Sequence, residues 1–295
     1  MITIIGASGN VGSKVAKELV DSGHRVRVLG RTAASLNELS ERGADVRVGD
    51  IADTAWLGEA LEGSGAAFAM VPSNPFDQNY AANQERLGES ICAALEARAV
   101  PTVVTLSSLG ADHLDAPGVI GALHRQESRL SALRARITFL RPVSFFENLL
   151  PAVEQLTESG THVDSVKADL PIPMIATADI ARVAASALTD PSWSGRVVRN
   201  LLGQRDLSYD EATAILGKYL AIDNAAYVQL PYEDMVEVLT GVGFGVDYSR
   251  QYVDMTRAFN SSELTDPVPR VPENTTSTSF EQFASSLRSH AGRAS

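Results

Sequence analysis

The chain has 295 residues, 44% of them apolar and 21% charged, and a net charge of −11, which is length and apolar content enough for one large α/β domain with or without a smaller lobe. The acidic balance argues against nucleic acid or an anionic membrane surface as partner, because such binding draws on Lys and Arg. No 18-residue apolar stretch occurs and no basic segment precedes the first apolar run, so neither membrane spanning nor secretion is expected, and the expected location is cytoplasmic.

The first predicted element is the apolar strand Ile2 to Ile5, which suits a central parallel strand covered on both faces. It runs into glycines at 6, 9 and 12, and Val11, Val15 and Leu19 then recur on one helical face. Gly6 permits a tight turn, Gly9 lets backbone approach a pyrophosphate, and Gly12 lets the helix pack close to the sheet. The spacing is G-x-x-G-x-x-G rather than G-x-G-x-x-G, but the strand before and helix after support a dinucleotide site. Gly6, Ser8, Gly9, Asn10, Val11 and Gly12 form its predicted phosphate loop, with the helix N-terminus facing the anion.

Strands are then predicted at Arg25–Leu29, Asp45–Val48, Ala66–Val71, Thr102–Leu106 and Ile137–Leu140. Between them come helices over Thr32–Arg42, about Thr54–Glu62, about Tyr80–Arg98, and His124–Leu133. Cys92, the only cysteine, lies within the third of these and reads as a small buried hydrophobe rather than a nucleophile. Such alternation gives a doubly wound parallel sheet, with ligands outside the strands' C-terminal ends where strand order reverses. Beyond Pro142 the alternation fades: helix Thr177–Leu188 and strand Arg196–Leu202 return to the sheet. Helices Leu207–Leu220, Tyr232–Thr240 and Ser279–Ser289 belong to a smaller lobe. Asn260–Thr278 reads as loop, and Thr278 with Glu281 as a capping box for the final helix.

The second strand ends at Gly30-Arg31-Thr32 with no acid to take ribose hydroxyls. Arg31 is therefore the candidate for the 2′-phosphate of NADP, against the reading of an ordinary surface charge. Asp50, just past the third strand, either accepts from an adenine amino group or caps the following helix.

Several motifs together resemble the NmrA-like atypical short-chain dehydrogenases. They are Gly6 to Gly12, Arg31, Gly49-Asp50, Thr105 to Ser108, Leu140-Arg141-Pro142 with Glu147-Asn148, and Thr177 to Ala181. The resemblance implies an NADP-preferring Rossmann-type domain over 1–145, to which 177–202 return, and a C-terminal substrate lobe made mainly of 146–295. It implies NADPH as cofactor, held also by Val71, Pro72, Ser107, Pro142 and Val143. It further implies a quinone-like acceptor beside Ser108, Phe145 and Phe146, the two phenylalanines alternatively being lobe core. Members include quinone reductases and azoreductase-like enzymes, and also nucleotide-sensing regulators that act through a protein partner without turnover. A homodimer is left open.

Ordinary short-chain dehydrogenases protonate a forming alkoxide through Tyr-x-x-x-Lys. The four lysines here are Lys14, Lys17, Lys167 and Lys218, preceded four residues earlier by Asn10, Ser13, Val163 and Ala214, so that pair is missing. His124 falls near the expected tyrosine and is the candidate catalytic acid, against a half-exposed helix histidine. A quinone, which yields a phenolate of conjugate-acid pKa near 10, can dispense with a strong donor, unlike a simple ketone. No metal site is expected, since His24, His113, His124, His162 and His290 are scattered.

Overall fold

A computed structural model describes residues 1–261 and 268–291. The first half runs β1 (Ile2–Ile4), α1 (Gly12–Asp21), β2 (Val26–Gly30), α2 (Asn37–Glu41), β3 (Asp45–Val48), α3 (Thr54–Ala60), β4 (Ala66–Ala69), α4 (Tyr80–Ala97), β5 (Thr102–Leu106), α5 (Val119–Ser131) and β6 (Arg136–Pro142). There follow β7 (Ser144–Phe145), α6 (Leu150–Ser159), β8 (Thr161–Asp164), β9 (Ile172–Ile175), α7 (Thr177–Thr189), β10 (Arg196–Leu201), β11 (Asp206–Leu207), α8 (Tyr209–Leu220), β12 (Ala226–Gln229), α9 (Tyr232–Gly241), α10 (Val246–Ser261) and α11 (Phe280–Ala291).

Seven parallel strands form one sheet in the order β10-β6-β5-β4-β1-β2-β3. Strand order reverses between β1 and β4, so the loops leaving these strands diverge and leave a crevice. The two faces are covered separately, as strand alternation requires. Ile4 packs with Val15 and Leu19 of α1 and Ile180 and Ala184 of α7, whereas Ile5 packs with Leu57, Ile91, Leu95 and Leu130 from α3, α4 and α5. This is the predicted fold class, a Rossmann-type doubly wound sheet.

A two-stranded sheet β12-β8 and a three-stranded sheet β11-β9-β7 stand apart from it. Their core gathers Phe146, Leu156, Ile172, Leu207, Leu216 and Phe280. The C-terminal stretch folds back over the molecule: Arg270 donates to the carbonyls of Leu202 and Gly203, Leu202 N–H donates to Asn274, and Thr278 bonds Asp179 of α7. No helix among the described residues is long and apolar enough to cross a membrane.

The sequence expectations missed α6, α10 and the five short strands outside the main sheet. α10 escaped because its buried face mixes Ser249, Thr256 and Asn260 with Val253, Ala258 and Phe259, which blurs the apolar period. Asn260 and Ser261 thus end a helix instead of opening a loop, and 262–267 of that expected loop lie outside the described residues. α5 starts at Val119, five residues before the expected His124, because Gly118 at φ +56° turns the chain into it. The capping box is also shifted by one residue: Ser279 Oγ accepts from Gln282 N–H at 3.1 Å and Gln282 Oε1 accepts from Ser279 N–H at 2.9 Å.

Candidate active site

The glycine loop joins β1 to α1 at the crevice. Gly6 sits at φ +78°, and a Cβ there would press on Met70 of the neighbouring strand end at 2.9 Å. A Cβ on Gly12 would collide with the Gly6 carbonyl. The protein itself therefore requires glycine at both positions. Gly9 is different. Its φ is ordinary, and an added Cβ would meet only the Gly6 carbonyl oxygen, at 3.4 Å, which is ordinary contact. Nothing in the chain demands glycine there, and the backbone at this point is left open to approach. Val11 is buried, Ser8 and Asn10 are exposed, and no side chain caps the N-terminus of α1. Its free N–H groups suit an anion.

Arg31 is exposed at the end of β2 and makes no hydrogen bond or ion pair among the described residues, so its guanidinium is free for a ligand. Asp50 is not the cap of α3; Asp53 is, accepting from Ala55 and Trp56 N–H. Asp50 accepts from Ala52 N–H at 2.9 Å and remains exposed. Val71 and Pro72 are half-buried beyond β4, where the Pro72 carbonyl accepts from buried Gln84.

The centre of the site is polar and paired. Ser107, buried after β5, donates from Oγ to Glu127 Oε1 at 2.5 Å. Arg141 closes a fork on the same carboxylate, with 2.9 Å from Nε and 2.6 Å from Nη2. This hydrogen-bonded pairing with Glu127 raises the Arg141 pKa further above its usual value. Glu127 was absent from the sequence expectations, although it lies one helical turn from His124, on the same face of α5. Ser128, near the place of the missing lysine, is exposed. Half-buried Ser108 donates to the Leu109 carbonyl at 3.0 Å.

Two consequences for proton chemistry follow from donor and acceptor counting. Ser107 has given its one proton to Glu127 and is left an acceptor. His124 Nδ1 lies 2.8 Å from the Ala111 carbonyl, which can only accept, so Nδ1 carries hydrogen and Nε2 of the neutral ring is an acceptor. His124 can act as an acid only as imidazolium.

The segment after β6 is held from below by a second cluster. Glu147 accepts from Thr177 N–H at 3.0 Å and from Thr177 Oγ1, capping α7 with a carboxylate at its positive end. Lys14 of α1 joins it, 3.1 Å from Glu147 Oε1 and 2.5 Å from Thr177 Oγ1. One ammonium thus ties the glycine-loop helix to the segment carrying Pro142, Val143 and Phe145. Pro142 is buried, Val143 packs on the lobe core, and Phe145 is half-buried against the sheet core. Phe146 is a correction: at 1% exposure it is locked in the lobe core, its ring 5.1 Å from Phe280 and 5.6 Å from Phe283, with no face left for an acceptor.

Burial pushes the Cys92 thiol up to about 11, which makes it a poor nucleophile. Among the described residues no group of His, Cys, Asp and Glu is arranged to hold a metal ion, and the side chain of His290 lies outside them.

Residues 1–289 match the model of the NmrA-like family. The chain is 27% identical over 288 residues to an NAD(P)H azoreductase of Xenophilus azovorans, covering 96% of each. It is 33% identical over 227 residues to a (4-alkanoyl-5-oxo-2,5-dihydrofuran-3-yl)methyl phosphate reductase of Streptomyces griseus, covering 75% of this chain and 74% of the other. An Escherichia coli NADPH-dependent quinone oxidoreductase solved with NADPH superimposes with TM-score 0.79 at 23% identity, covering 97% of this chain and 99% of that one. Triphenylmethane reductase from a Citrobacter species does so with TM-score 0.80 at 17% identity, covering 97% and 98%.

Proposed function

Because the chain belongs to the NmrA-like family, we propose that it is an NADPH-dependent oxidoreductase transferring hydride to a quinone or another conjugated acceptor. The observation that carries this reading is Gly9, a glycine the fold has room to replace, at an uncapped helix N-terminus in the crevice of a doubly wound sheet. In this reading 1–145 with 177–202 hold the nucleotide and most of 146–295 close over the acceptor. The loop Gly6 to Gly12 holds the pyrophosphate, Arg31 the 2′-phosphate and Asp50 the adenine. Val71, Pro72, Ser107, Pro142 and Val143 line the nicotinamide end, and Ser108 and Phe145 face the acceptor. NADPH supplies hydride when bound. Ser107, an acceptor fixed by Glu127 and Arg141, suits a carboxamide N–H. The azoreductase, quinone reductase and triphenylmethane reductase relatives share conjugated acceptors by name. Such acceptors match a site without Tyr-x-x-x-Lys.

Calorimetric titration tests the nucleotide half. NADPH is expected to bind more tightly than NADH, with Arg31→Ala removing most of a difference of about 1.5–3 kcal/mol; equal affinities in the parent protein sink the Arg31 role. Gly9→Val is expected to abolish binding with the thermal unfolding curve unchanged. NADPH oxidation with quinones, azo dyes and enones tests the chemistry. Tight binding without oxidation of any acceptor replaces the enzyme by a nucleotide sensor acting through a protein partner.

A further inference from the structure

At the end of β5, and over it from α5, four side chains have already spent their protons. Thr105 Oγ1 donates to the Ala69 carbonyl at 2.5 Å, Ser107 Oγ to Glu127 Oε1 at 2.5 Å, Ser108 Oγ to the Leu109 carbonyl at 3.0 Å, and His124 Nδ1 to the Ala111 carbonyl at 2.8 Å. A hydroxyl or a neutral imidazole has one proton, so Ser107, Ser108 and His124 are left with lone pairs.

The charge at the same place has the matching sign. Arg141 forks Glu127 through Nε and Nη2, and its Nη1 lies 3.3 Å from Asp112 Oδ1. Two carboxylates therefore share one guanidinium. No other Lys or Arg pairs with either of them among the described residues, which leaves one negative charge beside Ser107. Glu127 is buried whereas the Asp112 side chain is 58% exposed, so the surplus lies on the open side. The stretches leaving β4 and β5, residues 70–79 and 107–118, add Asp77 and Asp115 and contain no Lys or Arg.

We propose that the acceptor is a cationic conjugated electrophile, an iminium or an N-alkylated heteroaromatic ring, held beside Ser108, His124 and Asp112; this narrows the reductase reading above and rests on it. A neutral quinone becomes an anion on taking hydride, and that anion would form against lone pairs and an uncompensated carboxylate, where repulsion exceeds its value in bulk water. A cation meets attraction instead. Its electrophilic carbon takes hydride, with both electrons, from the C4–H bond of a dihydronicotinamide: one C–H bond breaks and one forms, the acceptor is reduced to a neutral amine, and the nicotinamide is oxidised to a pyridinium. One positive charge is present before the transfer and one after it. The protein has no proton to supply, which accounts for the spent donors and the missing Tyr-x-x-x-Lys together. The net charge of −11 also favours the approach of a cation.

The probe is N-methylacridinium, with acridine, uncharged in mildly alkaline buffer, as its neutral counterpart of the same shape. Calorimetric titration into protein saturated with a tetrahydronicotinamide analogue of NADPH, which has no hydride to give, should show the cation binding about tenfold more tightly than acridine, the scale of one charge a few ångströms away in a partly solvated site. At saturating NADPH, kcat/KM divided by the uncatalysed rate constant for the same acceptor should be about tenfold larger for N-methylacridinium than for 1,4-naphthoquinone. Added salt should lower it for the cation alone. Asp112→Asn should narrow both gaps. Equal binding of N-methylacridinium and acridine, or an enhancement no larger for the cation than for naphthoquinone, overturns the cationic acceptor, while turnover of naphthoquinone keeps the reductase reading standing. Gaps undiminished in Asp112→Asn overturn the placing of the cation at this cluster. NADPH left unoxidised with every acceptor overturns both readings.

Discussion

Sheet and lobe bury carboxyl groups in opposite ways. Around the main sheet Glu127 is forked by Arg141, Asp179 is paired with Arg182, and the nearly buried Glu147 meets Lys14. In the lobe Asp164 is surrounded by phenols, with no cation against it among the described residues. A carboxylate forked by a guanidinium is held ionised, which suits positioning; one set among phenols in a desolvated place is free to change its protonation. The buried carboxylates around the main sheet are thus each matched by a cation, and Asp164 of the lobe is matched by hydrogen-bond donors instead.

The largest effect should come from breaking a pair. Arg141→Met leaves Glu127 buried without its cation and should cost about 3–5 kcal/mol of stability by urea unfolding, while the double variant with Glu127→Leu should recover most of it. A single variant as stable as the parent would mean that the pair does not hold the site.

The second prediction sharpens the lobe side. Burial lowers the His162 pKa from 6.5 to about 4, with its Nδ1 2.8 Å from Thr213 Oγ1. The folded state then binds fewer protons than the unfolded chain between those values. Its contribution is fully present above the unfolded pKa and is lost as pH falls, by about 3 kcal/mol in total. Asp164, with a raised folded pKa, acts in the opposite sense: its contribution is present at low pH and lost as pH rises through that pKa. Comparing urea midpoints of the parent and His162→Gln at pH 7 and 4.5 isolates the histidine; parallel pH dependences would refute it.

The smallest effect belongs to His124, on the fixed side. His124→Ala should reduce turnover about tenfold, below the ~10²–10⁴ of a lost general acid. A collapse of turnover at unchanged nucleotide affinity would make imidazolium the obligatory donor and reopen simple carbonyl substrates.

What could be read in advance differs between the same two regions. The glycine loop was legible because Gly6 and Gly12 answer local demands of turn and packing, and the alternating strands because their apolar runs are continuous. The adjacent Phe145 and Phe146 were not separable, since a ring pair in sequence does not say which one turns inward; a 3₁₀ turn starting at Phe146 decides it. Glu127 was hidden because its cation, Arg141, comes from β6, far along the chain, and α10 because its buried face is polar.

The fold-back of the C-terminal stretch bears on the order in which the molecule can be made. Residues 270–278 fasten the turn after β10 and the first turn of α7, which are synthesised well before them. Gly203, at φ +69° beneath that fastening, sits so close to the Met174 carbonyl that no side chain fits. A chain cut before Arg270 would therefore keep every strand of its main sheet and lose the hydrogen bonds that fasten that turn and α7.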